Sequence, residues 1–111
     1  MSKIKLKITS KVSDEETISY VEAIRQNNKY IYKVDNTKII VEILDDNIQI
    51  KTISDIENHI ILGKNSYAYL LINNKKIEYP IKTKKWQIKS NYIFVEYAVE
   101  SLNTYILEVI E

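Results

Sequence analysis

The side chains able to do chemistry in this sequence are few: one histidine, His59, nine tyrosines, one tryptophan, and the carboxylates and lysines of an evenly charged chain. A histidine is the usual general base or metal ligand because its imidazole loses a proton near neutral pH. His59 lies in Asn58-His59-Ile60-Ile61-Leu62 beside Glu57, and no nucleophile is identifiable as its partner. That setting predicts a surface or rim strand residue. A metal site needs several His, Cys or carboxylate ligands at workable spacing, which one histidine and the distant Asp45-Asp46 turn do not supply. Asp14-Glu15-Glu16 and Asp45-Asp46 are paired carboxylates, but both fall in polar turns where solvated charge is the expected state. With Gly63 the single glycine, glycine-rich phosphate loops are excluded by count. No catalytic residue, metal or cofactor is assigned, and the chain is expected not to be an enzyme.

Two constellations remain. Tyr30 with Tyr32, and Tyr67 with Tyr69, each share a face of their strand. A tyrosine facing a barrel interior offers a flat apolar ring and one hydroxyl that needs a partner, which suits a small, partly apolar ligand. Tyr30, Tyr32, Tyr67, Tyr69 and Trp86 are the expected lining of such a site, and ordinary core packing is the competing account. The second constellation is basic. Lys75, Lys76, Lys82, Lys84, Lys85 and Lys89 stand against Glu78 alone and are interleaved with Tyr79, Trp86 and Tyr92. Lysines with aromatics on strands neutralise backbone phosphates and stack bases in single-strand nucleic acid binders. Here, though, Ile77, Tyr79 and Ile81 alternate with Lys76 and Lys82 as in an ordinary half-buried hairpin. A macromolecular partner, protein or RNA, on this face or on a strand edge is the alternative to a small ligand.

The elements that would position these residues are strands. Successive strand side chains point to opposite faces, so a half-buried strand alternates apolar and polar. Ile4, Leu6, Ile8 and Val12 alternate with Lys3, Lys5, Lys7 and Lys11. The same period runs through Tyr30, Tyr32, Val34; Ile39, Val41, Ile43; Ile48, Ile50; Ile77, Tyr79, Ile81; Ile93, Val95, Tyr97, Val99; and Tyr105, Leu107, Val109. Between the runs stand Asn27-Asn28, Asp35-Asn36, Asp45-Asp46-Asn47, Lys64-Asn65, Asn73-Asn74, Ser90-Asn91 and Leu102-Asn103. Asparagine tolerates the left-handed backbone region that glycine usually fills. Turns recurring roughly every nine residues predict short strands joined by tight hairpins.

The expected fold is therefore all-β: an antiparallel meander of about 8 to 10 short strands closed into a small calycin- or lipocalin-like barrel, because closure removes unpaired edges. Closure would bring the last strand to the first, with Glu96, Glu100, Glu108 and Glu111 near the lysines of the opening run. One segment is ambiguous. Ser13-Asp14-Glu15-Glu16 is a fair capping box and Ile18, Val21 and Ile24 are three apart, so residues 14 to 26 also fit an amphipathic helix, a short one near 14–24. The strand reading is favoured; it puts Ile18, Tyr20 and Ile24 inward and draws Glu22 in with them. Pro80 marks an edge or a bulge.

At 111 residues, 45% hydrophobic and 28% charged, the chain is one domain, residues 1–111, with ample apolar content for a core. A net charge of +1 gives no global attraction to polyanions or anionic lipid. No apolar run approaches the roughly 20 residues of a spanning helix, and the alternating Lys3 to Ile8 opening is unlike a secretory signal. Without cysteine, disulfides are excluded and a reducing compartment is compatible. A soluble cytoplasmic protein, monomer or homodimer, away from membranes, is expected.

The order of segments resembles a known family. Lys3-Ile4-Lys5-Leu6-Lys7-Ile8, Glu15-Glu16-Thr17-Ile18, Lys29-Tyr30-Ile31-Tyr32-Lys33, Thr37-Lys38-Ile39-Ile40-Val41, Asn47-Ile48-Gln49-Ile50-Lys51, Ile81-Lys82-Thr83 and Val95-Glu96-Tyr97 together resemble the YwiB-like family of small bacterial proteins. The resemblance spans nearly the whole chain and implies a calycin-like β-barrel. The family has no agreed activity, so it implies no function. Where the family has a glycine before its Tyr-Tyr pair this chain has Asn28-Lys29; where it has arginine-glycine after its mid-chain strand this chain has Thr52-Ile53. A later Tyr and Gly hairpin is shortened to Tyr69-Leu70-Leu71. The chain thus resembles a trimmed, divergent member.

Overall fold

The computed structural model describes residues 2–110. Eleven strands follow one another: β1 (Ser2–Val12), β2 (Glu15–Gln26), β3 (Lys29–Val34), β4 (Thr37–Ile43), β5 (Asn47–Ile53), β6 (Glu57–Gly63), β7 (Tyr67–Ile72), β8 (Lys75–Tyr79), β9 (Lys82–Lys89), β10 (Tyr92–Val99) and β11 (Ser101–Val109). They exceed the expected 8 to 10, and none of the described residues is helical. The alternating runs become strands because β-branched and aromatic side chains suit a pleated, half-buried surface. Leu6, Val41, Ile48, Leu62, Ile93, Val95 and Leu107 are fully enclosed and come from six strands, so the core belongs to the sheet's concave side as a whole. Deleting any one such leucine to alanine costs about 2–5 kcal/mol.

Every strand pairs antiparallel with its neighbour in sequence except β8 with β9, and β11 returns to pair with β1. The order is β8-β7-β6-β5-β4-β3-β2-β1-β11-β10-β9, a meander that curls round but keeps two edges. Pro80 sits in the link between β8 and β9, where its missing N–H is tolerated. The expected closure is thus not made by a backbone ladder among the described residues. Instead Thr83 of β9 reaches the β6–β7 corner: the Gly63 amide donates to its Oγ1 at 3.0 Å, its own amide donates to Ser66 Oγ at 3.0 Å, and the two hydroxyls lie 2.7 Å apart.

The β1–β11 register sets Lys7 opposite Glu108, so the anticipated meeting of first and last strands occurs. Glu111 lies outside the described residues. The 14 to 26 segment is strand, not helix, but its inward face is the reverse of the one expected. Leu6 pairs with Val21 and Ile4 with Ala23, which turns Ala23 into the core. Ile18 and Tyr20 are consequently exposed, at 46% and 69%, and Glu22 stands outward opposite Lys5. Val12 and Ile77 also depart from the inward role that alternation gave them, at 51% and 47% exposure: Val12 ends β1, and Ile77 lies on β8, a strand at the edge of the sheet.

Asn27, Asn73 and Asn74 adopt positive φ in the tight turns as expected, joined by Ser13, Asp35 and, less comfortably, Glu100 at φ 62°. Gly63 has φ 133°, and a Cβ there would lie 2.5 Å from the Asp46 carbonyl oxygen and 2.9 Å from Asn47 Cα. Only glycine fits.

Candidate functional site

Strands β2 and β3 pair over a short stretch, Ala23 to Gln26 against Lys29 to Tyr32. Toward its start β2 keeps pairing with β1 alone, while β3 continues with β4, so the wall parts between Glu22 and Lys33. A cleft of about 1050 Å³ opens there. Core-facing Ile4, Val21, Ala23 and Tyr32 line it on the inside, with Tyr20, Ile24 and Ile31 on its flanks and Lys3, Lys5, Lys33, Lys38 and Glu22 completing its lining.

Behind the cleft runs a line of tyrosines. The Tyr32 and Tyr105 hydroxyls are 2.7 Å apart and both side chains are buried. Burial pushes the Tyr32 pKa up to about 12, its hydrogen bond with Tyr105 opposing the rise. Tyr105 is raised well above the ordinary tyrosine value, first by burial and then by the neighbouring Tyr32. Burial also raises Tyr97, with Tyr79 adding to it, and Tyr79 itself is raised by burial although its hydroxyl donates to Asn58 Oδ1 at 2.6 Å. These groups stay neutral at physiological pH and supply hydroxyls, not charge, to the interior.

The five rings expected to line one site are not brought together. Tyr30 is buried, and its hydroxyl points at the Ser90 carbonyl at 3.5 Å; Arg25 lies 5.4 Å from its ring. Tyr32 is the member that reaches the cleft. Tyr67 and Tyr69 share a face, 5.5 Å apart, but it is the outer one, because Ala68 between them is the residue enclosed in the sheet. Trp86 stands opposite Val95 on edge strand β9 and is 40% exposed.

The outer face carries its own cluster. His59 stacks flat on its cross-strand partner Tyr69, centroids 4.5 Å apart at 7°. Lys76 Nζ lies 4.6 Å and 5.0 Å from the Tyr69 and Tyr67 centroids, a cation–π arrangement, and 4.0 Å from Glu78, to which Tyr67 donates at 2.7 Å. His59 Nε2 is covered with no hydrogen-bond partner; burial, then Lys51, holds its pKa below the usual histidine value, against the pull of Glu57. Among the described residues no group of three His, Cys, Asp or Glu gathers to hold a metal. Lys75, Lys76, Lys82, Lys84, Lys85 and Lys89 are all exposed, and they lie on β8 and β9, the two edge strands. Lysine on an edge discourages pairing with another chain.

Sequence reasoning missed Tyr105, Tyr97 and Tyr79 as an interior line. The signal was present, since Tyr97 and Tyr105 are in phase with the buried Val95 and Leu107. It missed the cleft altogether, and no local pattern marks it.

These features define an all-β protein of one curled antiparallel sheet with an opening in its wall. No family model and no curated protein matches the chain. Among solved structures it is similar to the crystal structure of the ywiB protein from Bacillus subtilis, at TM-score 0.66 and 17% identity, over 99% of this chain and 93% of that one. The resemblance read from the strand segments and this likeness agree, and at that identity the likeness shows the fold. No helix among the described residues is long and apolar enough to cross a membrane.

Proposed function

We propose that the chain is a non-catalytic binding protein, a calycin-like barrel that holds a small, partly apolar ligand in the side cleft and works in the reducing cytoplasm that its lack of cysteine suits. The observation that supports this is the parting of β2 from β3 beyond Ala23 and Tyr32, which leaves a cleft lined by half-buried Ile4 and Val21 with buried Ala23 and Tyr32 at its closed end. The volume of about 1050 Å³ is just above the roughly 300–1,000 Å³ of small-molecule sites. Tyr32 adds an aromatic ring at the closed end, its hydroxyl held by Tyr105 at 2.7 Å. The reading is tested by titrating the neutral, polarity-sensitive dye Nile red. Saturable binding with blue-shifted emission is expected, lost in Val21→Trp, whose indole fills the cleft while the circular dichroism spectrum stays that of the parent. A dye that does not saturate, or that binds Val21→Trp equally, overturns it.

A second reading is favoured by the six exposed lysines on β8 and β9: docking of a protein or RNA on that basic edge. A labelled single-stranded RNA that binds at low salt and dissociates as salt rises would support it.

A further inference from the structure

The lining of the side cleft is not electrically even. Lys3, Lys5, Lys33 and Lys38 stand around it with one carboxylate, Glu22. Glu22 is the cross-strand partner of Lys5, which matches one charge of each sign and leaves Lys3, Lys33 and Lys38 as cations without a carboxylate in the lining. Two of these are set against each other. Lys33 and Lys38 are direct cross-strand partners at the end of the β3–β4 hairpin, and Asp35, in the turn beyond them, is outside the lining. Like charges directly opposite on a sheet destabilise it, a cost that an anion seated between them would reverse. All three lysines are exposed, while Ile4, Val21, Ala23 and the Tyr32 ring below them are apolar and half-buried or buried.

We propose that the cleft takes a single-chain amphiphile with one anionic head group. The head sits between Lys33 and Lys38 with Lys3 across the opening, and the apolar body lies along Ile4, Val21 and Ala23 toward Tyr32. This rests on the ligand-binding reading above and names the class of ligand. Because the lysines are solvent-exposed, their contribution is a modest preference that added salt weakens, not the main source of affinity.

The test compares laurate, lauryl alcohol and laurylamine by isothermal titration calorimetry, below micelle-forming concentrations, against the full chain and the double variant Lys33→Gln/Lys38→Gln. Laurate is expected to bind on the order of tenfold tighter than the alcohol, and the amine weakest. The double variant should lose the preference for laurate while binding the alcohol as before. Its urea midpoint should hold or rise, since a repulsive pair has been removed. Equal affinity for laurate and alcohol, or a preference that survives in the variant, overturns the proposal and leaves the ligand-binding reading standing. If none of the three amphiphiles binds, and Nile red does not either, both fall together.

Discussion

The Tyr32–Tyr105 pair offers the sharpest check on how this interior is held. Each hydroxyl is buried, at 4% and 9% residue exposure, and they are 2.7 Å apart across β3 and β11. A buried polar group stripped of its partner costs about 1–3 kcal/mol, whereas removing both partners of a pair is close to neutral. Either single substitution, Tyr105→Phe or Tyr32→Phe, leaves one buried hydroxyl without its partner, so each is expected to cost about 1.5–2 kcal/mol. The double Phe variant should lose less than about 1 kcal/mol, giving a coupling of about 2–3 kcal/mol between the sites. Urea unfolding followed by far-ultraviolet circular dichroism at neutral pH reads all four corners of the cycle, with unchanged slopes confirming a shared unfolding mode. Tyr20→Phe, at a 69% exposed position, is the control and should stay within about 0.5 kcal/mol of the parent. A double variant whose loss equals the sum of the singles would overturn this account, as would single variants that both stay within about 0.5 kcal/mol of the parent.

Alkali should unfold the protein through the same tyrosines. The folded Tyr32 pKa of about 12 lies above the usual 10.0, so its stabilisation is complete below pH 10 and is lost between pH 10 and 12 as the unfolded chain ionises first. Tyr32 alone accounts for about 2–3 kcal/mol across that window, with Tyr105 acting in the same direction, and urea midpoints taken on either side of pH 10 measure it. Gly63→Ala drives a Cβ into the Asp46 and Asn47 backbone and disturbs the amide that donates to Thr83, so a loss above about 3 kcal/mol is expected in thermal unfolding. Glu100→Gly relieves a residue at φ 62° and should stabilise by about 0.5–1 kcal/mol, seen as a raised melting temperature.

The amino-acid pattern alone determined that the chain is predominantly strand, with residues 14–26 open between strand and helix, and it marked where many strands begin and end and the apolar face of those with a clean alternation. Leu6, Ile8, Val41, Ile48, Ile93 and Leu107 announce themselves because a period of two survives any arrangement of the strands. The asparagine turns were legible for a related reason: with Gly63 the single glycine, few side chains tolerate positive φ.

Which side of β2 turns inward, and which face Tyr67 and Tyr69 occupy, was settled by strand pairing and packing in three dimensions. In β2 both faces carry apolar residues, and the choice was made by pairing Val21 with Leu6 rather than by composition. Tyr67 and Tyr69 are likewise as apolar as Ala68 and Leu70, and the enclosure of Ala68 put them outside. The cleft is more remote still from sequence. It exists because β2 and β3 stop pairing after Ala23 and Tyr32, a consequence of how a long, curled sheet divides its hydrogen bonds among distant strands, and no stretch of neighbouring residues encodes it.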